Sequence, residues 1–353
     1  MSDVIYDLQA THTRRSPVFV IGLPRSGTSV TCRLLRRYLK VSFGTESQFI
    51  IHYLRRLPQF GDLDNDANVR LLLYEISTER FFARSRRNCG FVFDVDRAVT
   101  TLTARSYSAV LHSIFSQLAE HNGMVRWGDN TPAYNHDLRE IRQLFPDAQF
   151  IHVVRDGRDV ALSIQKESFG AKNACEAACD WKRALDSIQE LSQDLPHDQY
   201  LEVRYEDLTK KTVAIIETLT DFLGIDDRTG ELRAYVNTHI GKDIISDNSG
   251  KWHQGLSARD VERFEAVAGE MLAHFGYHLA YQGLGRPVSS LERRYWSLRG
   301  RTDRWLMGTQ HWVDNFYRAA VRSRSLLRFP RRGQAASDPQ RRRLRPLRSE
   351  REG

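Results

Sequence analysis

The stretch GLPRSGTS at residues 22–29 brings a guanidinium, three hydroxyls and two glycines together within a few residues. Gly22 and Gly27 keep the spacing of the triphosphate-binding loop G-x-x-x-x-G-K-[ST], but Thr28 stands where that loop has lysine, with Ser29 at the hydroxyl position. A glycine loop leading into a helix offers a row of backbone N–H groups and the positive end of the helix, and both favour a phosphate or sulfate. Arg25 supplies the formal charge that the lysine would have given, and its planar fork can bridge two oxygens where an ammonium acts as a point charge. Thr28 and Ser29 can donate hydroxyl hydrogen bonds to the same group. The competing reading of this stretch is a tight structural turn.

A second charged cluster follows the apolar run QFIHVV. Arg155 stands at its C-terminal end, and Ser163 comes two helical turns later in VALS. Ligands of open α/β sheets bind at the C-terminal ends of strands, so a second anion site beside the first is expected, and two separated sites imply a ligand with two separated phosphates. The alternative for Arg155 is an ion pair with Asp156, Asp159 or Asp129. Asp156 is the best candidate for a magnesium-binding acid, yet Arg155 lies between it and the apolar run, where an ATPase has the acid directly. Without the lysine and without a convincing metal acid, phosphoryl transfer from ATP has little support.

Three strand, loop and helix units must position these groups. PVFVI (17–21) reads as a buried strand, and TSVTCRLLRRYLKV has helical spacing at Val30, Leu34, Leu35 and Tyr38. QFIHVV is the second strand, with an Asp in RDGRD to cap the next helix. QYLEVRYEDL leads into KKTVAIIETLTDFLGI, where Glu206 or Asp207 is expected to cap the helix start and Gly224 to end it. Strands alternating with helices predict an α/β fold, a parallel sheet flanked by helices. Residues 50–122 read mostly as helix, the natural place for an acceptor-binding cap, and the acceptor pocket is expected within residues 44–135. Ser257 opens a further helix as N-cap, Asp260 takes the box position and Gly276 closes it.

The organisation expected is an N-terminal arm (1–16), one domain (17–284), a basic helical extension (285–330) and an arginine-rich tail (331–353) expected to be disordered. The net charge is +8, but residues 286–353 hold eighteen Arg, no Lys and six acids, a balance of +12, which leaves 8 − 12 = −4 for residues 1–285. A specific nucleic-acid binder would spread its basic groups over the folded face, so that class is disfavoured. In the extension Leu291, Leu298, Trp305, Trp312, Ala319 and Leu326 recur every seven residues, with Tyr295 and Phe316 beside them. This narrow apolar stripe among arginines predicts peripheral contact with an anionic membrane through residues 291–328; packing on the domain or a homodimer partner are the alternatives. No run is long and apolar enough to span a membrane and no signal pattern opens the chain, so a cytoplasmic location is expected. Four scattered cysteines suit a reducing compartment, and Cys175 and Cys179, four apart without a His or Cys partner, are expected to be small buried side chains, not metal ligands.

In that order, PRSGTS, VVRDGRDVALS, RYEDL, FLGI and GKW resemble the sulfotransferases that use 3′-phosphoadenosine 5′-phosphosulfate (PAPS), most closely their bacterial and tyrosylprotein-sulfotransferase-like branch, over roughly residues 17–281. The resemblance implies a nucleotide-kinase-like P-loop core. It implies that Arg25, Ser26, Gly27, Thr28 and Ser29 hold the 5′-phosphosulfate, that Arg155 and Ser163 hold the 3′-phosphate, and that Tyr205, Ser249 and Lys251 make further nucleotide contacts. The branch's catalytic glutamate matches Glu46 in FGTES, whose alternative role is a loop cap. The branch commonly has a lysine in a K-[TD]-P segment. Here WGDNTPAY puts Asn130 there, followed by Thr131 and Pro132, which leaves a substrate contact without charge.

The implied reaction is in-line transfer of a sulfuryl group from PAPS to a hydroxyl or amine of a small-molecule, glycan or lipid acceptor. Glu46 acts as base, Arg25 stabilises the departing charge and no metal is required. Two rivals stay open: a nucleotide or small-molecule kinase using ATP and magnesium, and a non-enzymatic nucleotide-binding adaptor acting through the basic tail.

Overall fold

The structure, a computed structural model, describes residues 16–299 except 168, 228, 243–247, 282–284, 293 and 297. The expectations for the N-terminal arm, the domain end at 284, the later part of the apolar stripe and the tail lie outside the described residues. Five strands form one parallel sheet: β1 (Val18–Ile21), β2 (Val41–Phe43), β3 (Arg126–Asp129), β4 (Gln149–Val154) and β5 (Tyr200–Arg204), in the order β2-β3-β1-β4-β5. Phe19 faces Asp129 of β3 and Phe150 of β4 in register. The chain leaves β1 toward one edge of the sheet and leaves β4 toward the other, so the loops after β1 and β4 meet at a switch point.

The helices follow from local signals. Helix α1 (Thr28–Leu39) starts at Gly27, whose φ is +104°, and ends at Lys40 in the left-handed region, which turns the chain into β2. The predicted helix therefore stops two residues before Val41. Strands β2 and β3, with three and four residues, are too short to show an alternation in the sequence. Helices α2 (Ile50–Arg56), α3 (Asp66–Ser77), α4 (Arg80–Cys89), α5 (Val95–Thr101) and α6 (Tyr107–His121) occupy the region read as helical. Asn65, Asp94 and Ser106 cap first-turn N–H donors of α3, α5 and α6 with their side chains. Then come α7 (Leu138–Leu144), α8 (Gly157–Ile164), α9 (Ala174–Gln193), α10 (Tyr205–Lys210), α11 (Thr212–Leu223), α12 (Glu231–His239), α13 (Trp252–Gly255) and α14 (Ala258–His274).

Alternate residues of β1 feed two cores, one on each face of the sheet. Phe19 and Ile21 join Trp127, Phe145 and Phe150 under α6 and α9, while Val18 and Val20 join Ile151, Val153 and the apolar faces of α1 and α11. Burial on both faces explains why these strands read as unbroken apolar runs.

Two capping expectations hold: Asp156 accepts from the Arg158 N–H at the start of α8, and the Ser257 hydroxyl accepts from the Asp260 N–H while donating to its carboxylate. A third fails. Neither Glu206 nor Asp207 caps α11, because residues 205–210 form their own short helix; Glu206 instead accepts from the Asp156 N–H at 3.1 Å and from the Tyr277 hydroxyl at 3.0 Å. Gly224 ends α11 in the left-handed conformation as expected. The buried Arg126 belongs to the scaffold: it donates to the Ser16 and Leu223 carbonyls and to Gln149 at the N-terminal end of the sheet, away from the loops of interest. No helix among the described residues is long and apolar enough to cross a membrane.

Candidate active site

The loop after β1 is held from below before any ligand is considered. Asn135 accepts from the Gly22 N–H and donates to the Gly22 carbonyl, and the Ser26 N–H closes a turn on the Leu23 carbonyl. Gly27 could not be another residue without rearrangement, since a Cβ there would lie 2.3 Å from the ring of Tyr205. That contact brings RYEDL of the third unit against the first loop.

Arg25, in the left-handed region at φ 74°, donates from Nε to the Ser163 Oγ at 3.0 Å and approaches Glu167 at 3.4 Å. Arg155 donates to the Arg25 carbonyl at 2.9 Å and to the Asn248 carbonyl, and its guanidinium lies 4.5 Å from the centre of the Tyr205 ring. Arg25, Gly27, Arg155, Ser163 and Tyr205 are thus assembled at the C-terminal ends of β1, β4 and β5. Of the ion pairs offered for Arg155, the structure forms one. It pairs with Asp159 at 3.9 Å, not with Asp156 or Asp129, yet its buried Nε has no hydrogen-bond partner. Asp156 is occupied elsewhere, in a buried pair with Arg158 at 2.8 Å, and so is not free as a metal ligand.

The segment containing Ser249 and Lys251 docks on the same face. Asp159 accepts from the Gly250 N–H at 2.7 Å and the Trp252 N–H at 2.9 Å, which fixes this segment to α8. Asn248 donates to the Tyr205 hydroxyl at 3.3 Å, and the Ser249 Oγ is buried without a partner. Lys251 is exposed, as is Ser29, whereas Ser26 and Thr28 are buried. Two polar atoms of this cluster, Arg155 Nε and Ser249 Oγ, are buried without a partner, and each needs one that an anion's oxygens can provide. The cluster fits a nucleotide bisphosphate on that ground.

On the other side of β1, the loops after β2 and β3 lock together. The Ser47 N–H donates to Thr131 Oγ1 at 2.9 Å, and the Tyr134 hydroxyl contacts Ser47 Oγ at 2.9 Å and accepts from the Ile50 N–H. Thr131 is buried by this work, Pro132 starts the short helical turn Pro132–His136, and the Asn130 Oδ1 is buried without a partner. Glu46 is exposed, accepts from the Gln48 amide at 2.9 Å and caps no helix, since α2 has no side-chain cap.

Asp129 escaped the sequence reading as a site residue. It ends β3, is 3% exposed, and burial pushes its carboxyl up to about 6, while hydrogen bonds from Thr131 and Ser47 pull it down and the charge of Glu46 pushes it further up. Its signal was an acid directly following a strand too short to recognise. Asp159 and Asn135 were likewise missed, because their partners are far away in the sequence. Cys175 is buried and Cys179 half-buried, both as thiols, and no group of three metal-ligating side chains occurs among the described residues.

A model described as "Sulfotransferase family" matches residues 17–229. The chain is 25% identical over 252 residues to a protein-tyrosine sulfotransferase A of Caenorhabditis elegans, covering 67% of this chain and 57% of that protein. It is 25% identical to an Aquifex aeolicus protein over 60% of this chain and 26% of that one, so it spans little more than half, or less, of these relatives. Among solved structures it is similar to the sulfotransferase domain of the Synechococcus PCC 7002 olefin synthase, with a TM-score of 0.46 and 20% identity over 76% of this chain and 98% of that one.

Proposed function

The chain belongs to the sulfotransferase family, and from that premise we propose that it transfers a sulfuryl group from 3′-phosphoadenosine 5′-phosphosulfate to an acceptor hydroxyl. The observation that carries this reading is the convergence of Arg25, Arg155, Ser163 and Tyr205 at the switch point, with Arg155 Nε and Ser249 Oγ left unpartnered. The donor, a substrate, supplies a sulfur already bonded to a good phosphate leaving group: the acceptor O–S bond forms as the S–O bond to the 5′-phosphate breaks, giving a sulfate ester and the 3′,5′-bisphosphate.

The chain's own residues do the rest. The N–H groups of residues 27–29 and the Arg25 guanidinium hold the 5′ end, where negative charge grows, in a fixed arrangement that needs no reorganisation during reaction. Arg155, Ser163 and Ser249 take the 3′-phosphate, Tyr205 braces Arg155 from below, and exposed Lys251 closes over the bisphosphate. Glu46 accepts the acceptor's proton, with its loop held by Thr131 and Tyr134. Asn130 offers its amide at the position where the branch has lysine, so Arg25 carries the charge stabilisation alone. The ATP-kinase alternative has no loop lysine to support it, and Asp156, the acid considered for magnesium, is engaged with Arg158. We place the enzyme in the cytoplasm, touching anionic bilayers through its basic extension.

Calorimetric titration with 3′,5′-ADP in the presence of EDTA tests the reading. Arg155→Ala is expected to weaken binding by about 10- to 100-fold, as loss of a charge-assisted pair implies. Equal affinity in Arg155→Ala and the parent, or binding of ATP only with magnesium, overturns the assignment.

A further inference from the structure

Strand β3 lies between β2 and β1, so the residues that follow it stand between the loop that carries Glu46 and the loop that carries Arg25. Those loops leave strands two spacings apart, about 10 Å. We propose, resting on the sulfuryl-transfer reading above, that the turn Pro132–His136 is the bracket that sets their separation, with Tyr134 a positioning residue for the base and Asn135 a positioning residue for the donor.

Adjacent residues of the turn hold opposite loops. On the donor side, Asn135 accepts from the Gly22 N–H at 3.3 Å and donates to the Gly22 carbonyl at 2.9 Å. On the base side, the Tyr134 hydroxyl accepts from the Ile50 N–H at 3.0 Å and meets Ser47 Oγ at 2.9 Å, while Thr131 at the start of the turn accepts from the Ser47 N–H at 2.9 Å. The turn is itself closed by the Tyr134 N–H on the Thr131 carbonyl and the Asp137 N–H on the Tyr134 carbonyl, both at 2.9 Å. Tyr134 and Asn135 are buried, so these bonds are made away from competing water.

The protons of this network run in one consistent direction. Burial, with the charge of Asp129, pushes the Tyr134 phenol well above its usual range, so it stays protonated and donates to Ser47 while accepting from Ile50. Ser47 and Thr131 in turn donate to Asp129. The amide of Ile50 thus feeds Tyr134, the amide of Ser47 feeds Thr131, and both chains end on one carboxylate. A buried acid that costs stability serves here as the common acceptor that fixes every donor before it.

The loop held in this way is strained at one point. Gln48 stands at φ 54°, in the left-handed region that a side chain other than glycine adopts at a cost, and it lies between the two anchored amides of Ser47 and Ile50. Its own side-chain amide donates to Glu46 at 2.9 Å. The turn therefore maintains the conformation of the residue that aims the base. Releasing Ile50 and Ser47 from Tyr134 lets Gln48 relax and carries the Glu46 carboxylate away from the acceptor.

The test uses the full chain as parent, Tyr134→Phe, Asn135→Ala, Glu46→Gln and the double variant of Tyr134→Phe with Glu46→Gln. Calorimetric titration with 3′,5′-ADP reads the donor loop, amide hydrogen exchange over residues 44–50 reads the base loop, and transfer from labelled PAPS to 2-naphthol reads kcat. Tyr134→Phe keeps the ring and removes only the hydroxyl. It is expected to speed exchange over residues 44–50 about tenfold and to lower kcat by about 10- to 100-fold, the penalty of a misplaced reacting group, with 3′,5′-ADP affinity within about twofold of the parent. Asn135→Ala is expected to weaken 3′,5′-ADP binding about tenfold. In Glu46→Gln no base remains to be misplaced, so adding Tyr134→Phe is expected to change kcat by less than about twofold, whereas a merely structural loss would multiply. Exchange over residues 44–50 that is equal in the parent and Tyr134→Phe overturns the bracket whatever the acceptor, as does a Tyr134→Phe loss undiminished in Glu46→Gln. A parent that does not bind 3′,5′-ADP, or a Glu46→Gln variant as active as the parent, refutes the donor or the base assignment instead.

Discussion

Asp129→Asn isolates the cost of keeping a carboxylate at the end of β3. Burial at 3% exposure, with Glu46 nearby, lifts the folded carboxyl from an ordinary 3.8 to about 6. That rise of about 2, at about 1.4 kcal/mol for each tenfold change in proton affinity, amounts to roughly 3 kcal/mol. The sign follows from proton counting. Between pH 3.8 and about 6 the folded chain binds more protons at this group than the unfolded chain does, so its contribution to stability is fully present below pH 3.8 and is lost as the pH rises through about 6. The asparagine variant has no such loss. It does give up one of the hydrogen bonds from Ser47 or Thr131, a pH-independent cost of about 1 kcal/mol. Urea denaturation of both proteins from pH 4 to pH 8 reads the difference. The stability of Asp129→Asn relative to the parent is expected to climb by about 2–3 kcal/mol across that range, most of it between pH 4 and 7. A difference that stays flat with pH, or that falls, would refute the claim that a buried and desolvated charge sits there.

Gly27→Ala pushes a methyl group into the Tyr205 ring at 2.3 Å from a backbone at φ +104°, and is expected to weaken 3′,5′-ADP binding about tenfold in calorimetry by displacing the ring beneath Arg155. Gly230→Ala is the control: its φ of +70° carries similar backbone strain in open space, so it should cost about 1 kcal/mol of stability and no affinity. Asp159→Asn turns an amide donor toward the Gly250 or Trp252 N–H; a stability loss of about 1–3 kcal/mol and weaker bisphosphate binding are expected, the latter from release of the segment carrying Ser249. The pair Leu291→Ser and Leu298→Ser removes two exposed side chains of the apolar stripe and should reduce cosedimentation with phosphatidylglycerol vesicles by about tenfold while leaving 3′,5′-ADP affinity intact.

What the sequence determined by itself was local. The glycine loop, the first turn of α8, the Ser257 cap and the stop at Gly224 are each written within a few neighbouring residues, because turn geometry and capping depend only on near neighbours. The apolar runs of β1 and β4 were legible because burial on both faces leaves no polar alternation to confuse them, and the ordered motifs were enough to identify the family. Tertiary structure decided which of these pieces meet. Arg25 reaches Ser163 across 138 residues and Asp159 clasps Gly250 across 91, contacts that depend on β4 lying beside β1, a strand order that local spacing does not encode. The same long-range packing buried Asp129 at the end of a strand too short to recognise. It also filled the helical region after β2 with its own aromatic side chains and, because β3 lies between β2 and β1, placed Tyr134 and Asn135 of one turn between the loops that follow those strands.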